Sequence, residues 1–320
     1  MTKNNLIDAL NLVLEQEHEM STVVYAVLKG THEIKMLNII NTEIDFIQNM
    51  FVASLKSSII DVEGQTLVPV SEADERSNTI FEYDIDLPES LEYIQSTLDD
   101  NTPVFSFEND DLGNIESLLI EIGTEQCQLT IIKQLSPVEV FGRGGYMLWK
   151  SNEQLERFED KVLRFTPKFN GIKVNDTIIF TELNLLERSH GFHDVIVREA
   201  KSSIRLIENL EILDTTDGLI SLLSNISFAR KVLKIRNSPV FKKNVPNNVI
   251  IEFTRSHPAL IRKMKYSDDG NQIILETKVS KELFIKMLDD AYLISELTNQ
   301  FYESKAKDEV PIEADNEVDN

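Results

Sequence analysis

Residues 172–180 read Ile-Lys-Val-Asn-Asp-Thr-Ile-Ile-Phe. β-Branched apolar residues flank Asn175-Asp176, so the spacing predicts two strands, residues 172–174 and 177–180, joined by a tight Asn-Asp turn. The stretch decides the fold class because the chain differs in texture on its two sides. Toward the N-terminus, strands and helices alternate. Residues 21–28 (STVVYAVL) read as a strand, and residues 34–40 read as its neighbour across Gly30-Thr31-His32. Leu6, Leu10, Val13 and Leu14 fall at helical spacing within residues 6–17, as do Ile44, Ile47, Phe51 and Leu55 within residues 42–60. Residues 63–78, polar and holding Gly64 and Pro69, read as a loop, and residues 91–98 as a helix after Pro88. Residues 104–107 and 128–135 read as strands, residues 118–122 fit helix or strand, and residues 152–162 read as a helix.

Toward the C-terminus the pattern turns helical. Val195, Ile196, Ala200, Ile204, Ile207 and Leu210 form one apolar stripe. A second helix is expected over residues 219–235, burying Ile220, Leu223, Ile226, Ala229 and Leu233 and ended by Pro239. Further helices are expected at residues 247–255, at 258–264 with Ser256 as N-cap, at 281–288 capped by Ser280, and at 291–302 capped by Asp290. Residues 266–271 read as a turn and 272–277 as a strand, and no repeat of 20–50 residues is present. The expected class is α+β, with a mixed N-terminal domain and a mostly helical C-terminal one holding a short sheet element. Domain limits are expected at residues 1–160 and 161–308, followed by a disordered acidic tail at 309–320.

The chain has 320 residues, 42% hydrophobic, with 9 Pro and 11 Gly, which excludes fibrous, collagen-like and wholly disordered classes. No apolar run approaches the roughly 18–20 residues of a spanning helix. The opening MTKNNLIDALNLVLEQ is interrupted by Asp8 and lacks a small-residue cleavage site, so no signal peptide is expected. Cys127 is the one cysteine, which excludes a disulfide framework or a Cys-based zinc cluster and fits a reducing cytosol.

Net charge is −22, a balance that repels nucleic acid when taken whole. Its distribution reverses that inference. Residues 1–160 hold 9 basic and 30 acidic side chains, whereas residues 161–320 hold 23 and 24. Residues 228–265 carry ten cations against the single acid Glu252: Arg230, Lys231, Lys234, Arg236, Lys242, Lys243, Arg255, Arg262, Lys263 and Lys265. Cations at a helix C-terminus offset its dipole, which accounts for two or three of the ten. The remainder points to phosphate-backbone binding by counterion release, with little base discrimination; the bland alternative is a solvated or protein-binding face. Aromatics in the segment (Phe228, Phe241, Phe253, with Tyr266 just beyond) are few and mostly at core spacing, which favours duplex over a stacking platform for single strands.

Three weaker constellations compete. Asp269 and Glu276-Thr277-Lys278 flank an expected strand, the Asp…Glu-x-Lys order with which metal-dependent nucleases hold Mg²⁺. Glu-x-Lys also occurs at Glu33–Lys35 and Glu303–Lys305, so a turn acid with an edge salt bridge explains it equally. His190, His193 and Asp194 suggest metal ligands or, more simply, a helix start. The run 141–146 (FGRGGY) lacks the Lys-Ser/Thr of a phosphate loop and reads as a turn or bulge, with Arg143 as a ligand contact at most. No cofactor or metal site is expected. The acidic N-terminal half serves solubility, docking to a basic partner, or masking of the basic segment. It disfavours direct contact with anionic lipid.

The phrases Ser-Phe-Ala-Arg-Lys-Val-Leu-Lys (227–234), Asn-Ser-Pro-Val (237–240), Ile-Ile-Glu-Phe-Thr-Arg-Ser-His-Pro-Ala-Leu (250–260) and Glu-Thr-Lys-Val-Ser-Lys-Glu-Leu-Phe-Ile-Lys-Met-Leu-Asp-Asp (276–290) carry a resemblance. So do Ser-Glu-Leu-Thr (295–298) and Ala-Lys-Asp (306–308). Over residues 160–308 the chain resembles the KwaB family of the bacterial Kiwa anti-phage defence system. That resemblance implies a cytoplasmic homodimer that binds double-stranded phage DNA and blocks its replication and late transcription. It further implies recruitment to the inner face of the membrane by a membrane-embedded partner, KwaA, and no established catalytic chemistry. Partner docking and dimerisation then fall to the acidic half, since membrane proteins keep Lys and Arg on cytoplasmic loops.

Overall fold

The computed structural model describes residues 1–15, 20–74, 76–99, 101–124, 126–136, 139–141, 147–151, 154–158 and 162–304. They form two compact units, Met1–Ser71 with Asn78–Val195, and Glu72–Ser77 with the chain from Ile196 onward.

The first unit is built on an eight-stranded sheet. Its strands are β1 (Ser21–Leu28), β2 (Ile34–Met36), β3 (Thr66–Pro69), β4 (Thr79–Glu82), β5 (Ile115–Thr124) and β6 (Cys127–Gln134). Short ribbons follow, β7 (Val140–Phe141) with β10 (Val162–Leu163), and β8 (Met147–Ser151) with β9 (Gln154–Phe158). The sheet then takes in β11 (Gly171–Val174) and β12 (Thr177–Phe180), in the order β2-β1-β5-β6-β11-β12-β4-β3. The pairings are antiparallel except β3–β4. Alternate residues (Val24 and Ala26 on β1, Leu118, Ile120 and Ile122 on β5, Leu129 and Ile131 on β6, Ile172 and Val174 on β11) share one core. Onto it pack Leu6, Leu10 and Val13 of α1 (Lys3–Leu14) and Ile47, Phe51 and Leu55 of α2 (Asn41–Leu55). Gly123 closes the β5–β6 hairpin at φ +143, where an added Cβ would lie 2.2 Å from the Cys127 carbonyl oxygen. The 172–180 hairpin forms as read, with Asn175 at φ 52 in its turn, and belongs to this sheet rather than to the helical unit beyond residue 160.

A buried ion pair lies in this unit. Lys133, 2% exposed, places Nζ 2.8 Å from Glu139 Oε1 and donates to Thr166 Oγ1 (2.8 Å) and the Lys168 carbonyl (2.7 Å). Burial alone would raise the Glu139 carboxyl; hydrogen bonds from Lys133, Thr166 and Ser136 outweigh it and hold the group at about 2.

The first unit also holds the short helix α3 (Asn184–Arg188), and the second comprises most of α4 (Phe192–Asn209), then α5 (Asp217–Ile220), α6 (Ile226–Lys234), α7 (Pro239–Lys242), α8 (Asn247–Ser256) and α9 (Lys278–Leu288). Two hairpins accompany them, β13 (Lys265–Tyr266) with β14 (Ile273–Ile274), and β15 (Tyr292–Ile294) with β16 (Phe301–Glu303). The class is α+β, with a small sheet element among the helices.

Local readings fail where pairing or capping overrides pattern. Residues 63–78 contain β3, an edge strand whose Pro69 sits at its end, where a missing N–H is tolerated. Residues 104–107 contribute only the bridge Met36↔Val104. Within 152–162 the chain forms strand β9 instead of a helix, because Leu155 and Glu156 pair with Lys150 and Trp149 across a hairpin. The expected helix 219–235 breaks at Asn225, whose extended backbone and side-chain oxygen, accepting from the Phe228 N–H at 3.1 Å, start α6 afresh. Ile220 is consequently 40% exposed, and Phe228 and Val232 join the buried face. Ser256 ends α8, its hydroxyl donating back to the Glu252 carbonyl, and residues 258–263 form turns with Arg262 at φ 62. Thr277 caps α9, with Ser280 as the reciprocal third residue of its capping box. Asp290, at φ 55, terminates the chain's run from α9, and the aromatic and β-branched residues beyond it form β15 and β16 instead of a helix. Residues 305–320 and 142–146 lie outside the described residues, and with them the expected tail and Arg143.

Candidate nucleic-acid interface

α6 reads Ile-Ser-Phe-Ala-Arg-Lys-Val-Leu-Lys. Phe228, Ala229, Val232 and Leu233 are buried, and at 100° per residue Arg230, Lys231 and Lys234 fall on the opposite side. The chain continues through Arg236 in a 3₁₀ turn to α7, where Pro239 occupies the first turn, Lys242 the last, and Lys243 the C-cap. Arg255 ends α8; Arg262 and Lys263 lie in the following turns and Lys265 opens β13.

The ten cations separate into groups. Carboxylate partners include Asp289 for Lys234 (3.8 Å), Glu199 for Arg236 (2.9 Å) and Glu276 for Lys265 (2.7 Å). Arg255 donates to the Gly270 carbonyl at 2.9 Å and stacks 4.4 Å above the Tyr266 ring. Arg230 is half-buried. Lys231, Lys242, Lys243, Arg262 and Lys263 are exposed and make no side-chain hydrogen bond or ion pair to the described residues. The pairing is of unequal strength. Lys265 and Glu276 keep 66% and 51% of their side-chain surface in solvent, and such a pair contributes about 0–1 kcal/mol.

Sequence reading missed one acid in this unit. Asp74, in the segment 72–77, pairs with Arg76 at 2.7 Å. Burial would raise its carboxyl, but Arg76, and more weakly the Lys234 charge, hold it below the usual carboxylate range. Nothing in the local sequence signals this, because Asp74 and Lys234 are brought together by tertiary structure alone.

The nuclease trio is dispersed over local tasks. Asp269 accepts from the Ser267 hydroxyl (2.6 Å) and from the Asn271 backbone and amide N–H groups (3.1 and 3.0 Å), which hold its carboxyl below the usual range. Glu276 pairs with Lys265, and Lys278 lies 3.8 Å from Glu282 one helical turn on. The strand expected to join them is the two-residue β14. His193 and Asp194 lie in the first turn of α4, with His193 Nε2 4.0 Å from Glu187. Among the described residues, no group of three or more His, Cys, Asp or Glu side chains is placed to hold a metal ion. None of the described helices is long and apolar enough to cross a membrane.

Two cavities adjoin these elements. The larger, about 1000 Å³, is lined by Glu208, Glu211, Asp214 and Asp269 among amides and hydroxyls, a potential that repels a polyanion. The smaller, about 110 Å³, lies between α6 and α9 and has Lys231 and Lys278 in its lining.

A family model described as Kiwa protein KwaB-like matches residues 112–298, a span that contains all ten cations. The chain is also similar to the Kiwa protein KwaB of Escherichia coli O55:H7 (strain RM12579 / EPEC), 24% identical over 315 residues, 96% of this chain and 99% of that one. No solved structure matches.

Proposed function

This chain belongs to the Kiwa protein KwaB-like family and is a component of Kiwa anti-phage defence, and from that premise we propose that its second unit binds double-stranded DNA through the phosphate backbone. The observation that carries the reading is the set of five exposed cations, Lys231, Lys242, Lys243, Arg262 and Lys263, without a carboxylate partner among the described residues of a chain whose net charge is −22. Such groups can neutralise backbone phosphates, and the cations condensed on the duplex that are thereby released drive association. Backbone contacts of this kind discriminate little between sequences, which suits a defence protein that meets unrelated phage genomes. DNA held this way is obstructed for replication and late transcription without being cut.

The acidic unit supplies the second half of the reading. Its excess carboxylates suit docking to the Lys- and Arg-rich cytoplasmic loops of a membrane-embedded partner, KwaA, with the chain acting as a homodimer at the inner face of the membrane. Charges more than about 8 Å apart are screened at physiological salt, so an acidic surface elsewhere on the chain is compatible with DNA binding.

A gel-shift assay with duplex DNA, run with and without Mg²⁺ at two salt concentrations, tests the reading. The expected result is retarded, intact DNA with or without Mg²⁺, with retardation weakening at higher salt. Cleavage on adding Mg²⁺, abolished by Glu276→Gln, would establish a nuclease instead; absence of any shift would leave a protein-interaction subunit.

A further inference from the structure

Lys231 and Lys278 come from segments far apart in sequence and line one pocket between α6 and α9. The local sequence dictates the placement. Ser227 and Lys231 are one turn apart on the exposed side of α6, which Asn225 starts, and the Thr277 capping box makes Lys278 the first residue of α9. The pocket has a volume of about 110 Å³ and opens to solvent, which gives room for a tetrahedral oxyanion.

Beside the apolar Leu222 and Phe228, the polar side chains that line it also favour an anion. Asn225 uses its side-chain oxygen to accept from Phe228, which leaves its NH₂ group to donate. The Ser227 hydroxyl lines the same space. Against these stands one carboxylate, Glu282, 3.8 Å from Lys278 Nζ; the two side chains keep 37% and 65% of their surface in solvent, so the pair is weak.

We propose that this pocket binds a single phosphate group between Lys231 and Lys278, displacing Lys278 from Glu282. Resting on the DNA-binding reading, the phosphate is a backbone phosphodiester of the duplex. Lys278, outside the basic run in sequence, then belongs to the phosphate-binding surface and not to a metal-dependent cleavage site.

The test uses the full chain in two arms. In the first, orthophosphate is titrated while the backbone amide signals of Ser227, Phe228, Lys278 and Val279 are followed by NMR, with chloride at matched ionic strength as control. Saturable, phosphate-specific shifts are expected, and their loss in Lys278→Gln and Lys231→Gln. In the second, duplex affinity is measured for the same variants and for Glu282→Gln. The lysine variants should bind about three- to tenfold more weakly and Glu282→Gln about two- to threefold more tightly, as removal of a competing carboxylate requires. Absence of saturable shifts, or weaker binding by Glu282→Gln, overturns the pocket. Phosphate-specific shifts with duplex affinity unmoved in Lys278→Gln would mean free phosphate is the ligand and overturn the backbone assignment. Failure of the wild-type chain to bind duplex at all, with the phosphate shifts present, would overturn the DNA reading alone.

Discussion

Lys133 in the first unit and Lys243 in the second are the same residue type under opposite conditions. Lys133 is buried with a carboxylate, a hydroxyl and a carbonyl around its ammonium. Lys243 caps a four-residue helix, exposed, with no side-chain partner among the described residues. At Lys133 positive charge is part of the fold, whereas at Lys243 it is left to solvent. A cation matters for binding where its removal leaves stability alone, and for folding where its removal leaves an unpaired buried charge.

The largest effect should come from breaking the buried pair. Glu139→Gln or Lys133→Met should each cost about 3–5 kcal/mol, measured by denaturant unfolding, because the remaining charge loses its partner. The double variant Lys133→Met with Glu139→Leu should recover much of that loss, since an apolar pair needs no compensation. The same pair sets an acid limit. The Glu139 carboxyl is depressed in the folded chain to about 2 from its ordinary 4.5, so its contribution is complete above about 4.5 and is lost as pH falls toward 2. Unfolding followed between pH 6 and pH 2 should show this loss in the wild type and not in the apolar double variant.

In the second unit the ordering reverses. Lys242→Ala with Lys243→Ala should change stability by less than about 0.5 kcal/mol while weakening duplex binding and flattening its salt dependence by about 0.9 for each phosphate no longer neutralised. Asn225→Ala removes the cap that starts α6 and should cost about 1 kcal/mol in a thermal or denaturant melt. The smallest effect belongs to Glu276→Gln, which frees Lys265 from an exposed pair of about 0–1 kcal/mol and should tighten duplex binding slightly.

The same contrast governs what could be read from the chain alone. β1, β6, β11 and β12 announce themselves through β-branched alternation, and α4 through a long apolar stripe, because each signal is local. β9 and the β15–β16 hairpin do not. Their residues have no preference strong enough to override helical spacing, and their strand character comes from partners across a turn. Asn225 was hidden inside a continuous apolar rhythm, although Asn is a strong helix starter. At the candidate interface, counting side chains finds the ten cations because they lie close together in sequence. Engagement of several of them depends on Glu199, Asp289 and Glu276, contributed by other elements, and Lys278 comes to line a pocket with Lys231 only through the packing of α9 beside α6.

The most direct measurement is the affinity of the full chain for duplex DNA as a function of salt, for the wild type and for a variant with Lys231, Lys242, Lys243, Arg262 and Lys263 all changed to Gln. A wild-type plot of log affinity against log salt with a steep negative slope is expected, reduced in the variant by up to about 4–5 units at about 0.9 per neutralised phosphate, with the melting behaviour of the two chains alike. Equal slopes for the two chains would contradict it.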